Sequence, residues 1–439
     1  MKDNPVNIKN SQTFCAAPWV NLTVSIGGNM SPCCEISGEF GNTKHQPIKD
    51  LWNGGLFLKL REAFISGNKP KACWKCYEVD ACGGKSMRQQ YNEKFNNHIE
   101  LISPLKHTAP LPISLDIRFS NICNFSCRMC WHGSSSHWYQ DAKALRLTNS
   151  KTALIKSFST KDNGVKEISA LLPGVKYLYW AGGEPLITRE HYAILEDLIA
   201  KHSTDIYLKY NTNFSKLTYD HGDIFKLWEQ FKNIELVISI DGIKDRGELI
   251  RHGFSWDIFL SNLKLIKQKC PHIKIKFGIT VSVFNVFVLD ELHQNLLDLE
   301  VCHEDDFEIH CLQEPNFYRV NILPKKLKEE VTVKLKDYIN TLKDSPGRNH
   351  ASVVSQLGHV IVFLKAKGDF GARYRFSYLT LKLDARRNQN TSAVCPELKS
   401  FIYGAFKLNL ILNIIYFWAK KFKSRMISFS YALKKKGGD

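Results

Sequence analysis

From Pro112 onward the chain repeats one pattern: a short run of aliphatic, aromatic and β-branched residues, then a stretch whose apolar positions recur every three or four residues. Runs at residues 113–119, 176–180, 206–210, 236–240, 273–281 and 307–311 predict strands, and intervening segments such as 189–202 and 256–269 predict amphipathic helices. Strands alternating with helices form βαβ units, whose right-handed crossovers place the strands parallel in one sheet. Six such units are too few for a closed eight-stranded barrel, so the pattern predicts an α/β fold built on a partial (β/α)6, TIM-like barrel.

Other textures flank this repeat. Residues 15–86 are rich in Gly and Cys, with a strand pair expected around 20–26 and a helix near 56–65. Residues 1–100 therefore read as a small module organised by metal rather than by a large core of its own. The stretch 86–112 is the boundary, the barrel is assigned residues 108–325, and a helical extension 326–405 opens at Leu323-Pro324 with a charged helix reaching about residue 342. Residues 347–388 follow no single period. With 439 residues and 44% apolar content, the chain has material for a sizeable core.

Residues 1–11 are polar and lack an apolar h-region, which predicts a cytosolic chain. In that setting 13 cysteines point to metal or redox chemistry rather than disulfides, and nine of them lie between Cys15 and Cys130. Of the net charge of +17, +7 falls in residues 406–439, a basic tail, and +10 is spread over the rest of the chain. No nucleic-acid-binding motif accompanies that charge, and no nucleic-acid partner is expected. The apolar stretch 406–418 is too short to span a bilayer. Its basic flank suits either contact with an anionic membrane surface or a terminal helix packed on the body.

Just after the first barrel strand, Cys123, Cys127 and Cys130 give the spacing C-x3-C-x2-C. Three thiolates on one tight loop suit a [4Fe-4S] cluster with three irons held by protein and one left open to a ligand. The same loop also admits a zinc site with His132 as fourth ligand. The next strand runs into Trp180-Ala181-Gly182-Gly183-Glu184-Pro185, where glycines allow close backbone approach and a carboxylate or carbonyl can accept from an ammonium group.

This order of motifs resembles the radical S-adenosylmethionine superfamily over residues 113–324, with Met129 standing where the family usually has an aromatic residue. The resemblance implies a cluster at the C-terminal mouth of the barrel whose open iron chelates the amino and carboxylate groups of S-adenosylmethionine. It further implies reductive cleavage to a 5'-deoxyadenosyl radical that takes hydrogen from a substrate. By the same resemblance, Gly182, Gly183, Glu184 and Pro185 hold the cofactor's amino group, and Asn211-Thr212-Asn213 places Asn213 beside the cofactor. Ser239 and Asp241 are candidates for the ribose hydroxyls and Arg251 for the cofactor carboxylate. Asn and Asp at strand ends are also common turn formers, and an arginine such as Arg251 is by itself more often a surface residue.

Ahead of the barrel, Cys15, Cys33, Cys73, Cys76 and Cys82 form a second constellation. It resembles the auxiliary-cluster modules named SPASM and twitch, and most closely an N-terminal twitch module holding one auxiliary [4Fe-4S] cluster, because Ser86 stands where a full SPASM module would have a further cysteine. That resemblance implies Cys15, Cys33, Cys73 and Cys76 as ligands, with Cys82 as substitute; structural zinc is the lesser alternative for four thiolates. Cys270, Cys302 and Cys395 read as buried or free thiols, and Cys311, ending the sixth strand, as a thiol that could face the barrel mouth.

The expected function is a radical enzyme acting on a sugar, an aminocyclitol, a nucleotide-linked sugar or a peptide. Its auxiliary cluster would assist electron transfer, and a flavodoxin or ferredoxin would be the electron donor. The rival reading is a zinc-stabilised, non-catalytic scaffold, which has no need of an open three-cysteine loop together with Gly182–Pro185.

Overall fold

The computed structural model describes residues 11–81, 84–101, 108–219, 222–345 and 349–404. Cys82 and the tail 406–439 lie outside the described residues, and with them the readings made of both.

The strands of the main sheet are β1 (Asn21–Val24), β2 (Met30–Ser31), β3 (Ser114–Ile117), β4 (Tyr177–Trp180), β5 (Tyr207–Thr212), β6 (Asn233–Ser239), β7 (Lys274–Val281) and β8 (Phe307–Cys311). They form one 8-stranded sheet in the order β8-β7-β6-β5-β4-β3-β1-β2. All neighbours are parallel except β1 and β2. The six strands predicted from the repeat are all present, which gives the partial α/β barrel.

The N-terminal strand pair does not stand apart. Thr23 pairs with Asp116 and Val24 with Ile117, so β1 extends the barrel sheet. Without β1, the outer edge of β3 would carry unpaired backbone donors and acceptors, and the four residues of β1 are all buried there.

Helices used below are α1 (Gly55–Ile65), α2 (Trp74–Ala81), α3 (Met87–Lys94), α4 (Arg189–Ala200), α5 (Lys244–Ile250), α6 (Trp256–Lys269), α7 (Leu289–Leu297), α8 (Lys325–Lys343), α9 (Ala351–Lys365) and α10 (Phe370–Arg387). The stretch without a clear period is thus helical. Helix α10 is packed on more than one side, with Leu383 against Trp138 and Phe376 against Phe284 and Phe401, so no single apolar stripe marks it. Helix α9 covers the edge strand β8, where Gln356 donates Nε2 to the Phe307 carbonyl at 3.0 Å and its Oε1 accepts from Ile309 N–H.

Alternation along the strands gives the sheet two unlike faces. Leu178, Trp180, Leu208, Tyr210, Leu236, Ile238 and Phe277 are buried on the face that packs against helices. Tyr179, Lys209, Asn211, Glu235, Lys276 and Glu308 occupy the other face, which is polar and, at most positions, partly exposed. No helix among the described residues is long and apolar enough to cross a membrane.

Candidate metal and cofactor site

The loop carrying Cys123, Cys127 and Cys130 leaves the C-terminal end of β3, and distant segments fix its shape. Ser126 N–H donates to the His252 carbonyl at 2.8 Å and Arg128 N–H to the Ile250 carbonyl at 2.7 Å, so the residues after α5 run alongside it. Gly253, at φ +107°, makes this approach possible, since a Cβ there would lie 2.8 Å from the Phe125 ring. Trp138 Nε1 donates to the Cys127 carbonyl at 2.8 Å. Arg128 is fully buried; it donates Nε to the Leu249 carbonyl at 3.1 Å and Nη2 to Gln389 Oε1 at 2.9 Å, and it pairs with Asp384 of α10. Asp384 also accepts from Thr391 N–H at 2.8 Å and Thr391 Oγ1 at 2.7 Å. Nothing in the sequence pattern singled out Arg128 or Asp384, because their partners lie far away along the chain.

Gly183 packs directly on this loop. A Cβ at that position would sit 2.0 Å from the Ile122 carbonyl oxygen, and Glu184 N–H donates to the same oxygen at 2.6 Å. Gly182 has φ +120°, and Pro185 opens the turn Pro185–Ile187. The Glu184 carboxylate is buried and accepts from Thr212 Oγ1 at 2.7 Å, Asn213 N–H at 2.6 Å and Leu186 N–H at 3.1 Å. It ties the end of β4 to the end of β5. Burial pushes its pKa up to about 7 against the lowering effect of those hydrogen bonds.

Asn213 donates Nδ2 to Asn124 Oδ1 at 3.0 Å, with Cys123 Sγ 3.9 Å from the same nitrogen, and its Oδ1 accepts from Ser215. Ser239 ends β6 half-buried. Asp241, read from the sequence as a ribose contact, is fully buried: Oδ1 accepts from Thr280 N–H at 2.7 Å and Oδ2 lies 2.7 Å from Arg251 Nε. Its reach is therefore to Arg251, a guanidinium held within electrostatic range of Cys127 and Cys130.

The second constellation also converges. Cys15, Cys33, Cys73 and Cys76 line one pocket, together with Phe64, Met87, Arg88 and Tyr91. Helix α3 builds its wall. Ser86 and Gln89 form a capping box at its start, which gives Ser86 a structural role. Asn92 accepts from Ala16 N–H at 2.8 Å and donates to the Phe14 carbonyl at 2.9 Å, clasping the main chain on both sides of Cys15. Buried Arg88 donates Nη1 to the carbonyls of Ser11 at 2.6 Å and Phe14 at 3.0 Å, and pairs with Asp80 at 2.7 Å. Cys34 is the exposed neighbour of Cys33.

Among the described residues, no three His, Cys, Asp or Glu side chains converge on a point that would hold one metal ion. Thiols spread around a cavity, or along a loop with one position open, suit a multinuclear cluster better than tetrahedral zinc. Burial raises the thiol pKa of Cys73 and Cys123 to about 12. Their thiolates thus need a cationic partner at neutral pH, and metal loading releases protons. Cys311 pairs in register with Val281 and shares the face of Phe307 and Ile309, the helix-facing side of the sheet rather than its polar side.

The profile of the radical SAM superfamily matches residues 117–285, and that of the SPASM iron-sulfur cluster-binding domain matches residues 15–77. Among solved structures, the chain is similar to native anSMEcpe with bound AdoMet and Cp18Cys peptide, at 13% identity and a TM-score of 0.37, covering 51% of this chain and 57% of that one. It is similar to Streptococcus suis SuiB bound to precursor peptide SuiA at 14% identity and a TM-score of 0.34, covering 66% and 60%. For TYW1 with a lysine-pyruvate adduct bound, the values are 16%, 0.30, 50% and 70%. The chain spans less than two thirds of the length of the anSMEcpe and SuiB chains. No curated protein matches it.

Proposed function

Because this chain belongs to the radical S-adenosylmethionine superfamily, with a SPASM-type iron-sulfur module ahead of its core, we propose that it is an enzyme that cleaves S-adenosylmethionine reductively and removes a hydrogen atom from an organic substrate. Its cofactors are S-adenosylmethionine, a [4Fe-4S] cluster and auxiliary iron-sulfur. When bound, they supply one-electron cleavage of a carbon–sulfur bond and a carbon-centred radical strong enough to break a C–H bond.

The protein's own part is positional. Cys123, Cys127 and Cys130 would hold the cluster that takes S-adenosylmethionine. Arg251, oriented by buried Asp241 at 2.7 Å, pairs with the cofactor carboxylate, and the Gly182–Pro185 backbone takes the amino group. Glu184 keeps that backbone in place through Thr212 and Asn213. Ser239 reaches the ribose. Cys15, Cys33, Cys73 and Cys76 would hold one auxiliary cluster, which would supply electron-transfer capacity beside the substrate. A sugar or aminocyclitol is the first substrate class and a peptide the second, with a flavodoxin or ferredoxin as electron donor in the cytosol.

The observation that carries this reading is the meeting of the three-cysteine loop with Gly183 and Arg251 at the C-terminal ends of parallel strands, where α/β sheets bind their ligands. Anaerobic purification, iron and sulfide analysis and a dithionite assay for 5'-deoxyadenosine test it. About eight irons per chain with 5'-deoxyadenosine formed supports two clusters. Zinc in place of iron, with no 5'-deoxyadenosine, overturns the reading in favour of the scaffold.

A further inference from the structure

The polar face of the sheet holds hydrogen-bonding groups that the protein leaves unused, and they lie together. Arg118, one residue past β3, donates Nε and Nη2 to Asp116 at 3.1 and 3.0 Å. Its Nη1 has no acceptor among the described residues, and its side chain is 27% exposed. On β4, Tyr179 pairs in register with Asp116 on one side and Lys209 on the other, and its hydroxyl has no partner among the described residues. On β5, Asn211 Oδ1 is buried and unpartnered, two positions beyond Lys209 on the same face. A charged donor, a hydroxyl and an amide acceptor thus stand open on three consecutive strands. Buried polar atoms are rarely left unmatched unless a ligand or water completes them.

This patch lies between the two cysteine sites. A Cβ on Gly182 would be 3.2 Å from Arg118 Cβ, so Arg118 adjoins the loop proposed to hold the cofactor. On the other side, Asp116 and Arg118 are within electrostatic reach of Cys34, the neighbour of Cys33. A substrate must meet both a hydrogen-abstracting centre and an electron acceptor, and this is the stretch of protein that adjoins both.

The surrounding charge narrows what fits. Lys209 bridges Glu235 at 2.9 Å and Glu308 at 2.8 Å, Lys276 reaches Glu235 at 3.1 Å, and Lys274 reaches Asp306 at 3.0 Å. With Arg118 paired to Asp116, each of these four cations already has a carboxylate partner. Lys94, beside Lys209 and Glu235 and 4.1 Å over the Tyr177 ring, adds one further cation, too little charge for a polyphosphate, and a face of ion pairs is costly to cover with an apolar group.

We propose that Arg118, Tyr179 and Asn211 form the substrate-binding wall, and that its ligand is a small hydroxyl-rich molecule, a polyol or amino alcohol, rather than a nucleotide-linked sugar or an apolar peptide segment. This deepens the radical-enzyme reading and rests on it. Hydroxyls both donate to Asn211 and accept from Arg118 and Tyr179, which a phosphate or an alkyl chain cannot do together.

The test is ligand-observed NMR on the reconstituted full-length protein with S-adenosylmethionine present. The probes are a set of cyclitols, amino sugars and linear polyols, a set of nucleotide-linked sugars, and a set of short apolar peptides. Binding confined to the first set, and weakened about tenfold by Tyr179→Phe and by Arg118→Gln, is expected. Tyr179→Phe removes one hydroxyl without changing shape, so it reports even where the arginine variant folds poorly. Absence of any hit in the first set, hits in the other two sets, or polyol binding indifferent to Tyr179→Phe overturns the proposal. Formation of 5'-deoxyadenosine by the unsubstituted protein is scored separately: its absence beside intact polyol binding sinks the radical reading and leaves the wall standing.

Discussion

Cys123, Cys127 and Cys130 share one loop, whereas Cys15, Cys33, Cys73 and Cys76 come from three separate segments that meet only when β1, α1, α2 and α3 are packed. The first set needs the rest of the molecule to orient a loop whose thiols are already neighbours in sequence. Residues 249–252 and 384–389 do this by hydrogen-bonding along it. The second set needs the fold to exist before it is a site at all. Metal binding and folding are therefore more tightly linked in the N-terminal module than in the barrel loop.

The largest effect that could break this comparison is replacement of Cys123, Cys127 and Cys130 together by Ala. It should remove about half the iron and reduce 5'-deoxyadenosine to background while leaving the iron of the N-terminal module and the protein's thermal midpoint nearly unchanged. Replacing Cys33 and Cys73 by Ala should instead lower the thermal midpoint as well as the iron content. Equal effects on stability from the two sets of substitutions, read by calorimetry, would end the distinction.

Next in size is Asp384→Asn, which leaves the fully buried Arg128 guanidinium without its carboxylate. A loss of about 3–5 kcal/mol is expected in denaturant unfolding, with faster chelator extraction of iron from the barrel loop than from the module.

The barrel side should also be the more acid-sensitive. His293 of α7 is buried, its Nδ1 lies 2.6 Å from Tyr338 Oη of α8, and burial followed by neighbouring His350 lowers its pKa to about 4, with Glu304 opposing. A depressed histidine contributes stability that is complete above pH 6.5 and lost as pH falls through 4. Over that window the unsubstituted protein should lose roughly 3 kcal/mol more than His293→Gln, measured as the pH dependence of unfolding free energy.

The smallest expected effect is that of Asn92→Ala. It frees Ala16 N–H and leaves the Phe14 carbonyl beside Cys15 to Arg88 alone and should cost about 1–3 kcal/mol, with preferential loss of auxiliary iron. Iron loss from the barrel loop instead would show that the two sites are not separately supported.

Much of the fold was legible because its elements are local. Each strand expected from residues 113–311 is found, and Trp256–Lys269 is a helix at its predicted bounds, since periodicity reports which side of an element is buried. The cysteine spacings were legible for the same reason. The roles of Asp241 and Cys311 were not. Asp241 looked like a ligand because it ends a strand beside glycine, but it turns inward to Arg251; Cys311 ends a strand, yet alternation directs it to the helix side. Residues 347–388 hid two helices because helices packed on several sides lose the stripe that identifies them.

By itself the sequence determined the parallel α/β repeat and two groups of thiols at cluster-like spacing, because both depend on residues near one another in the chain. Only the tertiary structure decided that β1 joins the barrel sheet, that Arg128 is locked to Asp384, and that Arg118, Tyr179 and Asn211 share one face between the cysteine sites. Those relations join residues tens to hundreds of positions apart, and they arise from burial of charge and pairing of strand edges, which no local spacing encodes.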